Sequence, residues 1–168
     1  MNIRSARSPL DLSSLLRLRP SARAELQGSE AYPQIRGTVL FRQTPYGTLV
    51  AAELDGLPQT MGGCASPIFG FHIHEGARCA GNAEDPFAQA GSHYNPRGCP
   101  HPYHAGDLPP IFGAGGYARS AFLTDRFTAE ELPGKTVILH ASPDDFTTQP
   151  AGNAGMRIAC GEIVRARR

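Results

Sequence analysis

The chain has 168 residues, a length that suits one domain with a single hydrophobic core. Hydrophobic residues make up 40% and charged residues 18%, which excludes a disordered chain, and no stretch is long and apolar enough for a transmembrane helix. The formal net charge of +1 gives no reason to expect binding to nucleic acid or to an acidic membrane. Abundant glycine (19) and proline (15) favour many turns and short strands over long helices.

Residues 1–20 are predicted to be an N-terminal extension that contains a short helix. Ser8 is the expected N-cap, with Pro9 at the first helical position and Asp11 in the first turn, and Pro20 ends the helix. The segment lacks the continuous apolar core of a secretion signal, so a cytoplasmic location is expected. Its content of Arg, Ser and Leu leaves organelle targeting as the minor alternative.

From residue 21 onward, short β-like segments alternate with turn signals. The predicted strands cover residues 21–26, 35–43, 48–54, 68–74, 116–124, 136–140 and 157–164. Residues 21–168 are therefore expected to form one β-domain. Two stretches, 75–115 and 141–156, are too long and irregular for hairpin turns, and such loops are usually functional or disordered. They flank or contain every histidine, which places the chemistry on loops carried by a barrel.

The six histidines are the most informative residues, and two of them end a strand-like run. In the run 70–74, alternation sends His72 and His74 to one face and their apolar neighbours to the other. Two imidazoles spaced in this way can bind a metal that accepts nitrogen, although a His-x-His pair by itself more often has no such role. His140 ends the apolar run 137–139, and taken alone it is typical of a polar strand end.

A second group contains three histidines and one carboxylate within fifteen residues: His93, His101, His104 and Asp107. Three imidazoles and one carboxylate are a ligand set that zinc accepts with tetrahedral geometry. The alternative is a polar, proline-rich loop with incidental histidines. The clustering argues against that alternative, because no histidine lies outside these two groups.

At these residues the chain resembles the copper/zinc superoxide dismutase family. Five motifs in the family's order carry the resemblance across most of residues 21–168: Gly70-Phe-His-Ile-His-Glu-Gly76, Gly91-Ser-His-Tyr-Asn-Pro96, His104-Ala-Gly-Asp-Leu108, the strand ending in His140, and Gly152-Asn-Ala-Gly-Met-Arg-Ile-Ala-Cys-Gly161. The resemblance implies an all-β fold, a Greek-key antiparallel β-barrel or sandwich (immunoglobulin-like) with two long functional loops. It also implies an oxidoreductase that disproportionates superoxide to oxygen and hydrogen peroxide at a redox-cycling copper ion. The oligomeric state stays open, a homodimer included.

The resemblance assigns roles to particular residues. Copper would be held by His72, His74, His93 and His140, and zinc by His93, His101, His104 and Asp107. His93 would bridge the two metals and pass a proton to the nascent peroxide, while Arg157 would draw in the superoxide anion. Asp144 would hydrogen-bond ligands of both metals. Cys79 and Cys160 would form a disulfide that ties the long loop to the barrel.

The sequence departs from the family pattern in three places. Only two residues separate His101 from His104, and Pro102 restricts the backbone between them, so both can reach one zinc ion only from a turn. Without zinc, His93 would be an ordinary fourth copper ligand. The loop 141–156 is short and has two acids and no lysine, which predicts a more open site and a weaker salt dependence of the rate. Cys64 and Cys99 have no family counterpart; they are a second disulfide or free thiols, and the disulfide is expected.

A different class of function competes with the enzyme. The barrel could be a non-catalytic copper- or zinc-binding module, or a structural barrel that keeps old ligands. The full set of copper histidines together with Arg157 favours catalysis over both alternatives, because fold alone does not decide function.

Overall fold

Strands account for most of the regular structure. The computed structural model describes residues 11–61, 63–65 and 67–167. Its strands are β1 (Ala22–Gly28), β2 (Arg36–Thr44), β3 (Gly47–Asp55), β4 (Thr60–Met61), β5 (Cys64–Ala65), β6 (Ile68–Phe69), β7 (Phe71–His74), β8 (Ile111–Phe112), β9 (Tyr117–Thr124), β10 (Thr136–His140) and β11 (Arg157–Arg165). A short helix, α1 (Leu12–Leu16), precedes them, and 3₁₀ turns cover Ala88–Ala90 and Ala129–Glu131. Over these described residues, no helix has the length and apolar character needed to cross a membrane.

Seven strands form one antiparallel sheet in the order β7-β10-β11-β1-β2-β3-β9. Three pairs of neighbours are not consecutive in the chain: β7 with β10, β11 with β1, and β3 with β9. The small pair β6–β8 links the two edges, because only Gly70 separates β6 from β7 and a turn between Ala114 and Tyr117 leads from β8 into β9. The sheet therefore curls on itself, and the predicted Greek-key antiparallel barrel is confirmed.

Side chains alternate between the barrel interior and its outer face, as a pleated strand requires. In β7, Phe71 and Ile73 belong to the main hydrophobic core. His72 and His74 consequently lie on the outer face, where the long loops cover them so completely that both are buried as well. The predicted separation of the imidazoles from their apolar neighbours is confirmed.

The N-terminal helix begins later than predicted. Ser8 and Pro9 lie outside the described residues. Helix α1 starts at Leu12, and Asp11 is its N-cap, since the Asp11 carboxylate accepts a hydrogen bond from the Ser14 N–H at 3.0 Å. The prediction that Asp11 lies inside the first turn is therefore wrong, because an aspartate caps a helix as well as a serine does.

Cys79 and Cys160 form the predicted disulfide, across 81 residues of sequence. The bridge ties the loop that follows β7 to β11. Beside it, Phe87 and Ala90 of that loop pack with Ile138 of β10 in a small apolar cluster. The disulfide and this cluster together fix the loop against the outer face of the barrel.

The expected second disulfide is wrong, because Cys99 is a half-buried free thiol. The Asn95 side chain restrains this part of the loop instead. Its amide oxygen accepts a hydrogen bond from the Cys99 N–H at 3.0 Å, and its amide N–H donates to the Cys99 carbonyl at 2.8 Å.

Replacing both bridged cysteines by serine (Cys79→Ser with Cys160→Ser) should lower the free energy of unfolding by about 4 kcal/mol, because the open chain regains the entropy of a loop of this length. Urea titration of the metal-free proteins measures the difference. Cys99→Ser is the matched control and should change the free energy of unfolding by less than about 0.5 kcal/mol. Equal midpoints for the double variant and the unaltered protein would contradict the prediction.

Candidate metal centre

Four histidines from three parts of the chain converge on the outer face of β7 and β10. His72 and His74 come from β7, and Ile138 of β10 pairs with His72, which puts His140, two residues further on, over the same face. His93 comes from the long loop and forms an isolated β-bridge with His74. The candidate ligand atoms of the four histidines all lie within 4.8 Å of one another, and all four residues are buried.

Hydrogen bonds fix the tautomers of three of these histidines. Each ring donates one N–H to an oxygen that can only accept: His72 Nε2 to Asp144 Oδ2 (2.7 Å), His74 Nδ1 to the Gly91 carbonyl (2.9 Å), and His140 Nδ1 to the Gly155 carbonyl (3.1 Å). In the neutral imidazole, the second ring nitrogen then carries a lone pair. The three lone pairs belong to His72 Nδ1, His74 Nε2 and His140 Nε2.

Two of these lone pairs face each other. The Nε2 atoms of His74 and His140 lie 3.4 Å apart, with no proton to place between them. Protonation does not relieve the contact, since burial lowers the pKa of His140 to about 3 and that of His74 well below its ordinary value. Two nitrogens bound at about 2.0 Å to one metal ion can have this separation. The donor set therefore fits a metal cation.

His93, His101, His104 and Asp107 form a second set, whose candidate ligand atoms also lie within 4.8 Å of one another. The Nδ1 atoms of the three histidines are 2.7, 3.1 and 3.3 Å from the Asp107 carboxylate. Burial raises the pKa of Asp107, but the hydrogen bond from His93 and the nearby histidine charges outweigh it and lower the pKa overall. The set thus offers three imidazoles and an ionised carboxylate, which fits zinc.

His93 is common to both sets. Its Nδ1 donates a hydrogen bond to Asp107, whereas its Nε2 is buried and has no hydrogen-bond partner among the described residues. The His93 ring centroid lies 4.0 Å from that of His72 in the first set and 5.6 Å from that of His104 in the second. One imidazole therefore connects the two sets.

Asp144 is a second connection between the two sets of histidines. Its Oδ2 accepts from His72 Nε2 at 2.7 Å, and its Oδ1 accepts from His101 Nε2 at 2.9 Å. Burial raises its pKa, but these two bonds and one from the Phe146 N–H lower the pKa to about 2. Gly152 leaves room for this arrangement, since a Cβ there would lie 2.0 Å from Asp144 Oδ1.

Asp144→Asn should weaken metal binding by about 10- to 100-fold, as loss of a partner that orients ligands commonly does. An asparagine has one acceptor oxygen, so it can serve His72 or His101 but not both, and its NH₂ group would face the N–H of the other. Competition with a chromophoric chelator measures the affinity for each metal. Asp125→Asn, at an exposed position after β9, removes the same charge and should leave both affinities unchanged. Equal affinities in the two variants would refute the assigned role of Asp144.

Two side chains that the sequence analysis missed hold the short loop between His101 and His104. Arg126 Nη1 donates to the carbonyl oxygens of Pro102 (3.0 Å) and His104 (3.2 Å) in this loop and to that of Asp107 (3.1 Å) just after it. The Gln149 amide accepts from the His101 N–H at 3.0 Å and donates to the His101 carbonyl at 2.7 Å. The two closely spaced histidines can therefore turn toward one point. Neither Arg126 nor Gln149 belongs to a motif, so no sequence signal identified them.

Arg157 begins β11 and lies beside the first set. Its Nη1 donates to the Phe87 carbonyl at 2.8 Å and its Nη2 to the Gly91 carbonyl at 2.7 Å. The Gly91 oxygen is also the acceptor of His74 Nδ1, so the guanidinium and that imidazole share one partner. The Arg157 side chain is 20% exposed, which leaves an approach for a small anion.

Comparison with known proteins agrees with this geometry. The family model described as copper/zinc superoxide dismutase matches residues 35–163. The superoxide dismutase (Cu-Zn) of Deinococcus radiodurans is 36% identical over 161 residues, covering 84% of this chain and 83% of that protein. The enzyme of the same name from Photobacterium leiognathi is 36% identical over 141 residues, covering 76% and 78%. A crystal structure of a superoxide-dismutase-like protein from Bacillus subtilis superposes with a TM-score of 0.67 at 27% identity, covering 83% of this chain and 96% of that one.

These matches imply copper and zinc as the cofactors, and the two sets of ligands could bind metals. With most of the chain matched, the protein belongs to the copper/zinc superoxide dismutase family.

Proposed function

We propose that this chain disproportionates superoxide at a copper ion held by His72, His74, His93 and His140. The main support is that the buried Nε2 atoms of His74 and His140 lie 3.4 Å apart, each with its lone pair facing the other. His72 Nδ1 and His93 Nε2, both buried and without hydrogen-bond partners in the described residues, complete the set. Four imidazole nitrogens suit copper.

Zinc is assigned to the other set, His93, His101, His104 and Asp107, because this set includes a carboxylate and supplies four protein ligands. A closed site with four protein ligands is typical of structural zinc. Copper, when bound, supplies the one-electron couple that zinc lacks, so the first set is the reacting one.

The chain's own groups bring in the substrate and move the proton. Arg157 retains N–H donors beyond those given to Phe87 and Gly91, so its guanidinium can hold a small anion. His93 Nε2 lies in the copper set, whereas Nδ1 lies beside the Asp107 carboxylate of the second set, where zinc, when bound, would take the place of the Nδ1 proton. His93 can therefore take up a proton at Nε2 and return it to the reduced substrate, as hydrogen peroxide formation requires.

Metal loading tests the proposal. Loss of superoxide is followed by stopped-flow absorbance with metal-free, zinc-only and copper-plus-zinc protein, and a chelator suppresses free copper. We expect fast loss only in the copper-containing protein. Stoichiometric copper without activity would overturn the catalytic proposal and leave the non-catalytic metal-binding module. A homodimer stays a prediction from the resemblance, which sedimentation velocity of the loaded protein would test.

A further inference from the structure

The proposed anion-binding arginine has a carboxylate as its neighbour. Asp85 Oδ2 lies 3.3 Å from Arg157 Nη1, and the two side chains are 39% and 20% exposed. The Arg157 guanidinium is therefore already paired with a carboxylate of its own chain before any external anion binds. This ion pair faces an open cleft of about 1060 Å³, whose lining also includes Glu30 and Glu84.

The loop fixes Asp85 in this position. The Asn82 side-chain oxygen accepts from the N–H groups of Glu84 (3.1 Å) and Asp85 (2.8 Å). Asp85 Oδ1 in turn accepts from the Phe87 N–H at 3.0 Å. One carboxylate oxygen thus anchors the loop, and the other is held against Arg157.

We propose that Asp85 is a specificity-determining residue that weakens the attraction of Arg157 for anions and discriminates against doubly charged ones. The inference rests on the proposed role of Arg157 as the anion-binding group. An anion at Arg157 is repelled by the Asp85 charge, and this repulsion is proportional to the charge of the anion. Superoxide carries one negative charge, so it is excluded less than sulfate or hydrogen phosphate would be.

Asp85→Asn tests the proposal and keeps an oxygen that can accept from the Phe87 N–H. Azide, a monoanion, is titrated into the copper(II) protein by absorbance at low ionic strength, and sulfate is measured by its competition with azide. Partly exposed ion pairs have modest energies, so the azide affinity should rise about two- to five-fold. The sulfate affinity should rise by the square of that factor, about four- to twenty-five-fold. High salt should reduce both effects.

Glu84→Gln is the matched control, since it removes one charge from the adjacent, exposed residue that is not a partner of Arg157. Glu84→Gln should raise the azide affinity and the sulfate affinity by less than half as much as Asp85→Asn does. Equal effects of the two substitutions, equal factors for azide and sulfate, or no rise in Asp85→Asn would each overturn the proposal. A purely structural role of Asp85 would lower the azide affinity and alter the copper(II) spectrum in the absence of azide. Failure of the proposed function is separate, because it would appear as absence of activity in the unaltered protein.

Discussion

His140→Ala is expected to lower copper-dependent superoxide loss by at least about 100-fold, more than loss of an outer partner of a ligand would. The side chain is buried and supplies one of the two facing Nε2 lone pairs. Alanine removes that nitrogen and leaves His74 Nε2 without the second donor that faces it. Stopped-flow rates per protein chain, measured after copper loading with a chelator present, give the size of the effect.

His104→Ala is the contrasting variant, because His104 belongs to the second set alone. We expect it to lose zinc while copper stays bound, whereas His140→Ala loses copper while zinc stays. Metal analysis after dialysis distinguishes the two results, and urea titration shows whether each variant is folded. A folded His140→Ala protein that keeps its copper and its full activity would refute the assignment of His140.

The second large effect is on the acid stability of the metal-free protein. Burial, followed by the charge of His72, lowers the pKa of His140 to about 3 from 6.5, and burial also lowers the pKa values of His72 and His74. Between about pH 3 and pH 6.5 the histidines of the unfolded chain bind protons that the buried histidines of the folded chain do not. The free energy of unfolding therefore falls as the pH drops below 6.5. Each pH unit is worth about 1.4 kcal/mol per group, so the loss reaches several kcal/mol by pH 4.

Urea titrations of metal-free protein at pH 7, 6, 5 and 4 measure this loss. Asp144 is an acid, and its pKa in the folded protein is about 2, below the ordinary value of 3.8. Its contribution to the free energy of unfolding therefore persists from pH 7 to pH 4 and is lost only as the pH falls further. His140→Gln should reduce the pH dependence, since one of the buried histidines is gone. A midpoint that stays constant from pH 7 to pH 4 would contradict the expectation.

The sequence predicts the strands and the facing of the histidines well, because both depend on local periodicity. Alternation alone places His72 and His74 on one face, and residues 136–140 form the predicted strand without change. The predicted strand 68–74 is interrupted at Gly70, where a Cβ would lie 2.9 Å from that of Ala154. That close approach comes from a loop far away in sequence, which no local pattern shows.

The support of the candidate site could not be predicted for the same reason. Arg126 and Gln149 hold the loop between His101 and His104 by hydrogen bonds to backbone carbonyl oxygens. Every residue has such an oxygen, so the residue types in the loop do not indicate these contacts. The pairing of Cys79 with Cys160 came from the family resemblance, since four cysteines allow several pairings. The expected disulfide of Cys99 was wrong, which shows that the number of cysteines does not determine how many of them pair.

The Gly91 carbonyl oxygen, which accepts from both His74 Nδ1 and Arg157 Nη2, has a mechanical consequence. Thermal drift of the loop displaces this one atom, and both donors follow it together. Fluctuations of the guanidinium and of the imidazole should therefore be correlated, so that the gap between them varies less than the position of either. Small movements of the loop would in this way preserve the spacing between the group that attracts the anion and a ligand of the metal that reacts with it.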